Sequence, residues 1–241
     1  MQALQEVAAL LDGRPSLDRT LAWSTGFARD ALLYRGAAGT GDFGATLRDA
    51  VRMLDDLGVS YVLIGATALG IHGYVRATEN LDFMIFAHSL PKVIDAASRY
   101  RFREVEIREA GGTFRPNRIT LKHGESGVKI QFVTHKPEAL EIALNEGETI
   151  PATSHGVQVV GPSLAFAILT KMLRGEPQDD VDVWKTILRN PKVMEEGPEQ
   201  KHILHVISLH PDGSALTEKF LQLLQEACKK LETEPDKYGD T

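Results

Sequence analysis

The sequence contains one cysteine and no long hydrophobic run. A single thiol, Cys228, excludes a disulfide framework within the chain and is typical of a reducing compartment. No apolar stretch approaches the roughly 20 residues that a membrane-spanning helix needs. The first residues, MQALQEVAALLDGR, lack the charged start, long apolar core and cleavage site of a signal peptide. We therefore expect a soluble, cytoplasmic protein without a membrane partner.

The sequence also lacks an excess of basic residues. Its 27 Lys and Arg are outnumbered by 33 Asp and Glu, which gives a formal net charge of −6. Such a balance argues against a large nucleic-acid interface, so any contact with a phosphate backbone has to be local. One candidate strip contains Arg99, Arg101, Arg103 and Arg108.

Hydrophobic periodicity divides the 241 residues into parts of different character. Residues 1–42 are predicted to form an N-terminal helical extension, and the glycine-rich segment Gly36–Gly44, GAAGTGDFG, is predicted to be a plain linker. Residues 43–161 combine helical spacing with short apolar or alternating runs, which predicts an α/β domain. Residues 162–232 have helical patterning interrupted by prolines, and the charged segment 233–241 is predicted to be a tail. The predicted fold class is therefore α/β (α+β), followed by a helical C-terminal part.

The stretch Tyr61–Phe86, YVLIGATALGIHGYVRATENLDFMIF, contains a carboxylate, Asp82, inside an apolar run. Its first apolar run breaks at Gly65, and its second apolar run contains Asp82. Both runs are typical of buried strands. A carboxylate inside such a strand is costly unless it is paired or binds a metal. Asp82 is therefore a candidate metal ligand.

Two amide residues are predicted to accompany Asp82. Asn80 lies two positions earlier on the same strand, so its side chain points to the same face. Gln131 lies on the second strand of a hairpin predicted over residues 118–133. Metal-dependent transfer of a nucleotidyl group needs carboxylates in such positions, because they hold the cation that neutralises phosphate charge. Only one of the three residues is a carboxylate.

The motifs around Asp82, and a second block further on, resemble the minimal nucleotidyltransferases of the DNA polymerase β type. The branch most alike contains the abortive-infection toxins of toxin–antitoxin systems. The resemblance covers about residues 45–190 and implies the nucleotidyltransferase fold, a mixed β-sheet with flanking helices. It rests on Ile64–Leu69, His72, Gly73, Arg76, Thr78, Asn80–Asp82, Lys171, Gly175, Pro177, Asp179 and Asp182.

The resemblance also implies roles for individual residues. Asp82, Asn80 and Gln131 stand at the three catalytic carboxylate positions, and Asp82 is the implied metal ligand. The implied cofactors are Mg²⁺, weakly bound here, and a nucleoside triphosphate. The implied nucleotide-binding residues are Gly65, Ala66, Thr67, Arg76, Thr78 and Lys171.

The sequence departs from the family pattern at positions that would contact phosphate or hold the metal. Ala66 replaces the second Gly or Ser of the family's pair, and Asn80 and Gln131 replace the first and third acids. Loss of two metal ligands from a site that works by electrostatics should cost several kcal/mol of barrier, and each ~1.4 kcal/mol is a factor of ten. We therefore expect a fold with degraded catalytic acids.

Two functions remain open from the sequence. One is a nucleotidyltransferase-fold protein with lost or weakened catalysis, a possible pseudoenzyme, whose cleft binds a nucleotide, an RNA or a protein partner. The other is an active Mg²⁺-dependent, toxin-like nucleotidyltransferase that moves a nucleotide from a triphosphate to RNA, protein or a small acceptor. Asn80 or Gln131 could also have been introduced by design. Structural alternatives pair Asp82 with Arg76 or Thr78, and Lys171 with an aspartate.

Overall fold

A computed structural model describes residues 16–34, 39–109, 116–134 and 137–234. The strands are β1 (Tyr61–Ile64), β2 (Asn80–Ile85), β3 (Phe102–Glu109), β4 (Pro116–His123), β5 (Lys129–Val133), β6 (Thr149–Ser154) and β7 (Val157–Pro162). The α-helices in these ranges are α1 (Ser16–Tyr34), α2 (Phe43–Asp56), α3 (Gly65–Ile71), α4 (Leu90–Ala96), α5 (Pro137–Asn145), α6 (Leu164–Arg174), α7 (Pro177–Arg189), α8 (Pro198–Ser208) and α9 (Gly213–Thr233).

The first five strands form one mixed sheet in the order β1-β2-β5-β4-β3. β2 and β5 are parallel, and the other neighbours are antiparallel. The hairpin expected over residues 118–133 is β4 and β5. β6 and β7 form a separate antiparallel pair. These features confirm the prediction of an α/β fold with a mixed sheet, flanking helices and a helical C-terminal part.

One face of the sheet is entirely apolar at its centre and packs against α2. Its buried side chains include Phe83 and Phe132, whose rings stack with centroids 5.8 Å apart. On α2, helical spacing brings residues such as Leu47 and Leu54 into the same core. The helix begins after Asp42, whose side chain accepts a hydrogen bond from the Ala45 amide at 2.9 Å.

The opposite face of the sheet is covered only in part. Val62 and Met84, on β1 and β2, belong to a second core that they share with α5 and the helices from α6 to α9. Further across this face, Lys122 on β4 and Lys129 on β5 are exposed. The covered and open halves of this face meet near Asn80, Asp82 and Gln131, the three predicted catalytic positions.

The local differences from the sequence predictions are small. The sequence from Ser89 to Arg99, with Pro91 in its first turn, predicts a single helix. In the structure this segment is divided, with α4 between 3₁₀ turns at Ala87–Ser89 and Ala97–Tyr100. The segments 2–12, 36–38 and 235–241, which include a further predicted helix and most of the predicted tail, lie outside the described residues. Of the linker predicted over residues 36–44, residues 39–42 form no helix or strand, and Phe43 and Gly44 belong to α2. Across the ranges that the structure describes, no helix is long and apolar enough to cross a membrane.

Candidate functional site

The site begins at the junction of β1 and α3, where Gly65 has a φ of +75°. This left-handed conformation favours glycine because it has no Cβ. A Cβ at Gly65 would also collide with the Asp82 carboxylate, with Cγ of Asp82 only 3.2 Å away. The absence of a side chain at residue 65 therefore makes room for the carboxylate of Asp82.

Asp82 lies in a cross-strand row on the partly covered face of the sheet. The register pairs Ile64 with Asp82, Asp82 with Gln131, and Gln131 with Thr120. Paired residues on neighbouring strands point to the same face. Asn80, two residues before Asp82, donates from Nδ2 to Asp82 Oδ1 at 2.9 Å. The structure thus brings the three predicted catalytic positions together.

Burial raises the pKa of Asp82 above its ordinary value of 3.8. The hydrogen bond from Asn80 and the positive charges of Arg174, Lys171 and Arg118 oppose this rise. Asp82 is only 9% exposed, so desolvation of its charged form is the largest effect. The carboxyl therefore lies in a low-dielectric position with cations on several sides.

These residues line a cleft of about 580 Å³ between the sheet and the end of α6. Three cationic side chains line it, Arg118 from β4 and Lys171 and Arg174 from α6. The carboxylates among its lining residues are Asp82 and Glu176. The remaining lining residues are Ile64, Gly65, Asn80, Met84, Gln131, Val133, Thr170 and Leu173.

The side chains around Asp82 do not fit a divalent cation. Mg²⁺ is held through carboxylate and other oxygens, but Asn80 turns its NH₂ group toward Asp82. Gln131 directs its oxygen to Arg118 Nη1, at 3.5 Å. Within the described ranges, no group of three or more His, Cys, Asp or Glu residues could hold a metal ion. We therefore assign no chemical step to a metal here.

Lys171 is committed to a buried ionic network beside the cleft. Its Nζ donates to Asp179 at 2.9 Å and to Asp182 at 2.7 Å. Asp182 also accepts from Arg76 at 2.8 Å and from Gln178 at 2.9 Å. Burial alone would raise the pKa of Asp182, but Arg76 and Lys171 hold it below the ordinary value. The network joins α6, α7 and the segment before β2.

The other predicted nucleotide-binding residues are not among those that line the cleft. Ala66 and Thr67 are buried within α3. Thr78 donates from its hydroxyl to the Asn80 carbonyl at 3.3 Å, and its amide donates to Ser24 at 3.1 Å. Arg76 is held by Asp182. Of the six residues predicted, Gly65 and Lys171 line the cleft.

Arg118 and Arg174 line the cleft and were missed by the sequence interpretation. Arg174 is 60% exposed, and its Nε lies 3.3 Å from Asp179. Arg118 lies on the β4 strand, two residues before the Thr120 that pairs with Gln131. Period-two alternation was a signal for Arg118 once β4 and β5 were aligned. Arg174 gave no such signal, because its position depends on how α6 meets the sheet.

No protein-family model matches the sequence, and no curated protein matches it. The chain is similar to solved structures described as nucleotidyltransferases or nucleotidyltransferase-like. An antigenic nucleotidyltransferase-like protein from Paracoccidioides brasiliensis is 17% identical, over 73% of this chain and 92% of that chain, with a TM-score of 0.44. The lincosamide antibiotic adenylyltransferase LnuA, lincomycin-bound, is 14% identical, over 57% of this chain and 91% of that chain, with a TM-score of 0.39. ANT(2″)-Ia in complex with adenylyl-2″-tobramycin is 18% identical, over 77% of this chain and 97% of that chain, with a TM-score of 0.38.

Proposed function

We propose that this nucleotidyltransferase-fold protein binds a nucleotide in the Asp82 cleft and has lost most of its metal-dependent nucleotidyl transfer. The observation that carries the proposal is that Asp82 has amides, Asn80 on its own strand and Gln131 opposite it on β5, at the other two predicted carboxylate positions. Asn80 donates a hydrogen to the carboxylate instead of adding a second negative charge. A cation at this position would lack the charge balance on which nucleotidyl transfer depends.

Nucleotide binding is supported by the cations that remain in the cleft. Arg118 and Arg174 line the same cleft as Asp82, so a nucleotide in the cleft would have two guanidinium groups available to its phosphates. A guanidinium presents several N–H donors in a planar fork that matches phosphate oxygens. The binding is expected to persist without a divalent cation, because arginine supplies the positive charge directly.

Two measurements test the proposal on the full chain. Titration calorimetry with ATP and GTP, in EDTA and in Mg²⁺, should detect binding in both conditions. Incubation with labelled triphosphates and Mg²⁺ or Mn²⁺ should give no robust label transfer. Arg118→Gln should weaken binding about tenfold, the size expected for a charged hydrogen bond. Lys192→Gln, which removes an exposed charge that does not line the cleft, serves as the matched control.

The missing carboxylates can be restored to test the geometry. Asn80→Asp with Gln131→Asp should create measurable Mn²⁺ affinity, because three acids would then face one another across β2 and β5. Asn145→Asp with Gln222→Asp adds the same charge at exposed positions and should not. Label transfer by the natural chain that disappears in Asp82→Ala would instead establish an active enzyme and overturn the proposal.

A further inference from the structure

A row of cations crosses the open half of the sheet face that carries the cleft. The register pairs Asn80 with Lys129, Lys129 with Lys122, and Lys122 with Arg103. Lys129, Lys122 and Arg103, here called the cation row, are all exposed. Since neighbouring strands lie ~4.8 Å apart, the row spans about 10 Å from β5 to the edge strand β3.

The cation row is unfavourable for the isolated protein. Like charges directly opposite each other on neighbouring strands destabilise a sheet. Among the side chains that the structure describes, no carboxylate lies within salt-bridge distance of any of the three cations. Two nearby acids pair with other groups, Glu125 with Arg101 at 2.8 Å and Asp49 with His123. Glu106 lies opposite Thr120 on the same face of the sheet. Three aligned cations without a carboxylate partner among the described side chains favour an external anion.

The cation row is continuous with the cleft. Lys129 lies two residues before Gln131 on β5, and Asn80, at the head of the row, lines the cleft. Arg118 extends the same face of β4 beyond Lys122 and Thr120, and it also lines the cleft. A ligand that follows the row therefore passes from the sheet edge to the carboxylate of Asp82.

We propose that the cation row binds the phosphate backbone of a single nucleic-acid strand, one end of which reaches the cleft. A polymer with one charge on every unit matches a regular line of cations better than an isolated anion does. A single strand fits because a cleft of about 580 Å³ admits a group of nucleotide size. The identity of the group in the cleft rests on the proposed function; the phosphate contacts along the row do not.

The test is fluorescence anisotropy with a labelled single-stranded RNA and a DNA of the same sequence. Both should bind, with affinities that fall as salt rises, because phosphates carry the recognition. Lys122→Gln with Lys129→Gln should weaken binding several-fold at low salt. The same change should reduce the slope of log affinity against log salt by about 1.4, or ~0.7 for each phosphate that the protein no longer neutralises.

Lys201→Gln with Lys229→Gln removes the same charge from exposed positions on α8 and α9 and is the matched control. The row variant should melt at the same temperature as the natural chain or higher, since a repulsion is removed. Binding as strong and as salt-dependent in the row variant as in the control would overturn the inference. So would binding of a duplex in preference to either single strand.

Failure of oligonucleotide binding along the cation row can be distinguished from failure of nucleotide binding in the cleft. The row variant should keep its affinity for ATP or GTP in the cleft, because neither lysine lines it. If no mononucleotide binds while oligonucleotides still need Lys122 and Lys129, the proposed cleft ligand is wrong and the row stands. If mononucleotides bind and the affinity for oligonucleotides does not depend on Lys122 and Lys129, the proposed cleft ligand stands and the inference about the cation row is wrong.

Discussion

Gly65 and Asp82 are coupled because the carboxylate occupies the space beside the Cα atom of the glycine. Gly65→Ala should destabilise the protein by about 2–4 kcal/mol, combining a left-handed backbone for alanine with displacement of Asp82. It should also abolish nucleotide binding in the cleft. Urea unfolding followed by circular dichroism measures the first effect.

Gly147→Ala is the matched control for this change. Its φ is +72°, close to that of Gly65, but a Cβ there meets nothing within 4 Å. The backbone cost alone, about 1 kcal/mol, is expected. Equal losses of stability in the two variants would show that contact with Asp82 does not constrain residue 65.

The raised pKa of Asp82 predicts a pH-dependent stability penalty. A carboxyl whose folded pKa exceeds its unfolded value of 3.8 favours the folded state at low pH, and this contribution is lost as pH rises through the folded pKa. Asp82→Asn removes the titration, so at pH 7 the variant should melt at a higher temperature than the natural chain. The difference should shrink as pH falls toward 4.

Thermal melting of both proteins between pH 4 and pH 7 provides the measurement. Asp95→Asn, a change at an exposed position on α4, controls for the loss of one negative charge. A lower melting temperature for Asp82→Asn at pH 7 would mean that the charged form is stabilised in the fold, contrary to the expected effect of burial.

At the scale of elements, the ionic network fixes how α6, α7 and the segment before β2 meet. Lys171→Met would leave the buried Asp179 and Asp182 without their shared ammonium, so we expect a loss of about 3–5 kcal/mol. Lys230→Met breaks a partly exposed pair with Glu234 and should cost less than ~1 kcal/mol. Calorimetric unfolding compares the two.

A loss for Lys171→Met no larger than that for Lys230→Met would contradict the structural role of the network. The same variant also bears on the cleft, because Lys171 was predicted to contact phosphate. If Lys171 serves the network, the remaining folded protein should bind ATP nearly as well as the natural chain does.

A second polar network joins elements that are distant in the sequence. His123 contacts Ser126 through Nδ1 at 2.9 Å and Asp49 through Nε2 at 3.1 Å, and Thr46 Oγ1 lies 2.6 Å from Ser126 Oγ. The Ser126 amide donates to His123 Nδ1, so this nitrogen accepts and Nε2 carries the hydrogen. Ser126 is 1% exposed. This serine–histidine–aspartate set therefore fastens the β4–β5 turn to α2.

At the scale of the whole molecule, much of the architecture was predictable because periodicity is local. Helical spacing located α2, alternation located β4 and β5, and the break at Gly65 located the turn from β1 into α3. The common face of Asn80 and Asp82 followed from the period of two in a strand. These features depend only on residues close together in the sequence.

The features of the site that the sequence did not predict depend on strand register and on packing between distant segments. The pairing of Asp82 with Gln131 joins strands whose alignment no short motif specifies. The partners of Lys171 and the position of Arg174 depend on how α6 and α7 dock. The cation row appears only when β5, β4 and β3 are aligned, because its members lie on three strands.

The two outer strands of the main sheet differ in how they face their surroundings. β7 packs against β1, where the Val160 amide donates to the Tyr61 hydroxyl at 3.5 Å. In the described part of the chain, no strand pairs with the outer side of β3. An open edge invites pairing with a second molecule, and charged side chains oppose it. Arg103 and Glu106 are exposed on β3, so the strand that ends the cation row also hinders self-association of the protein.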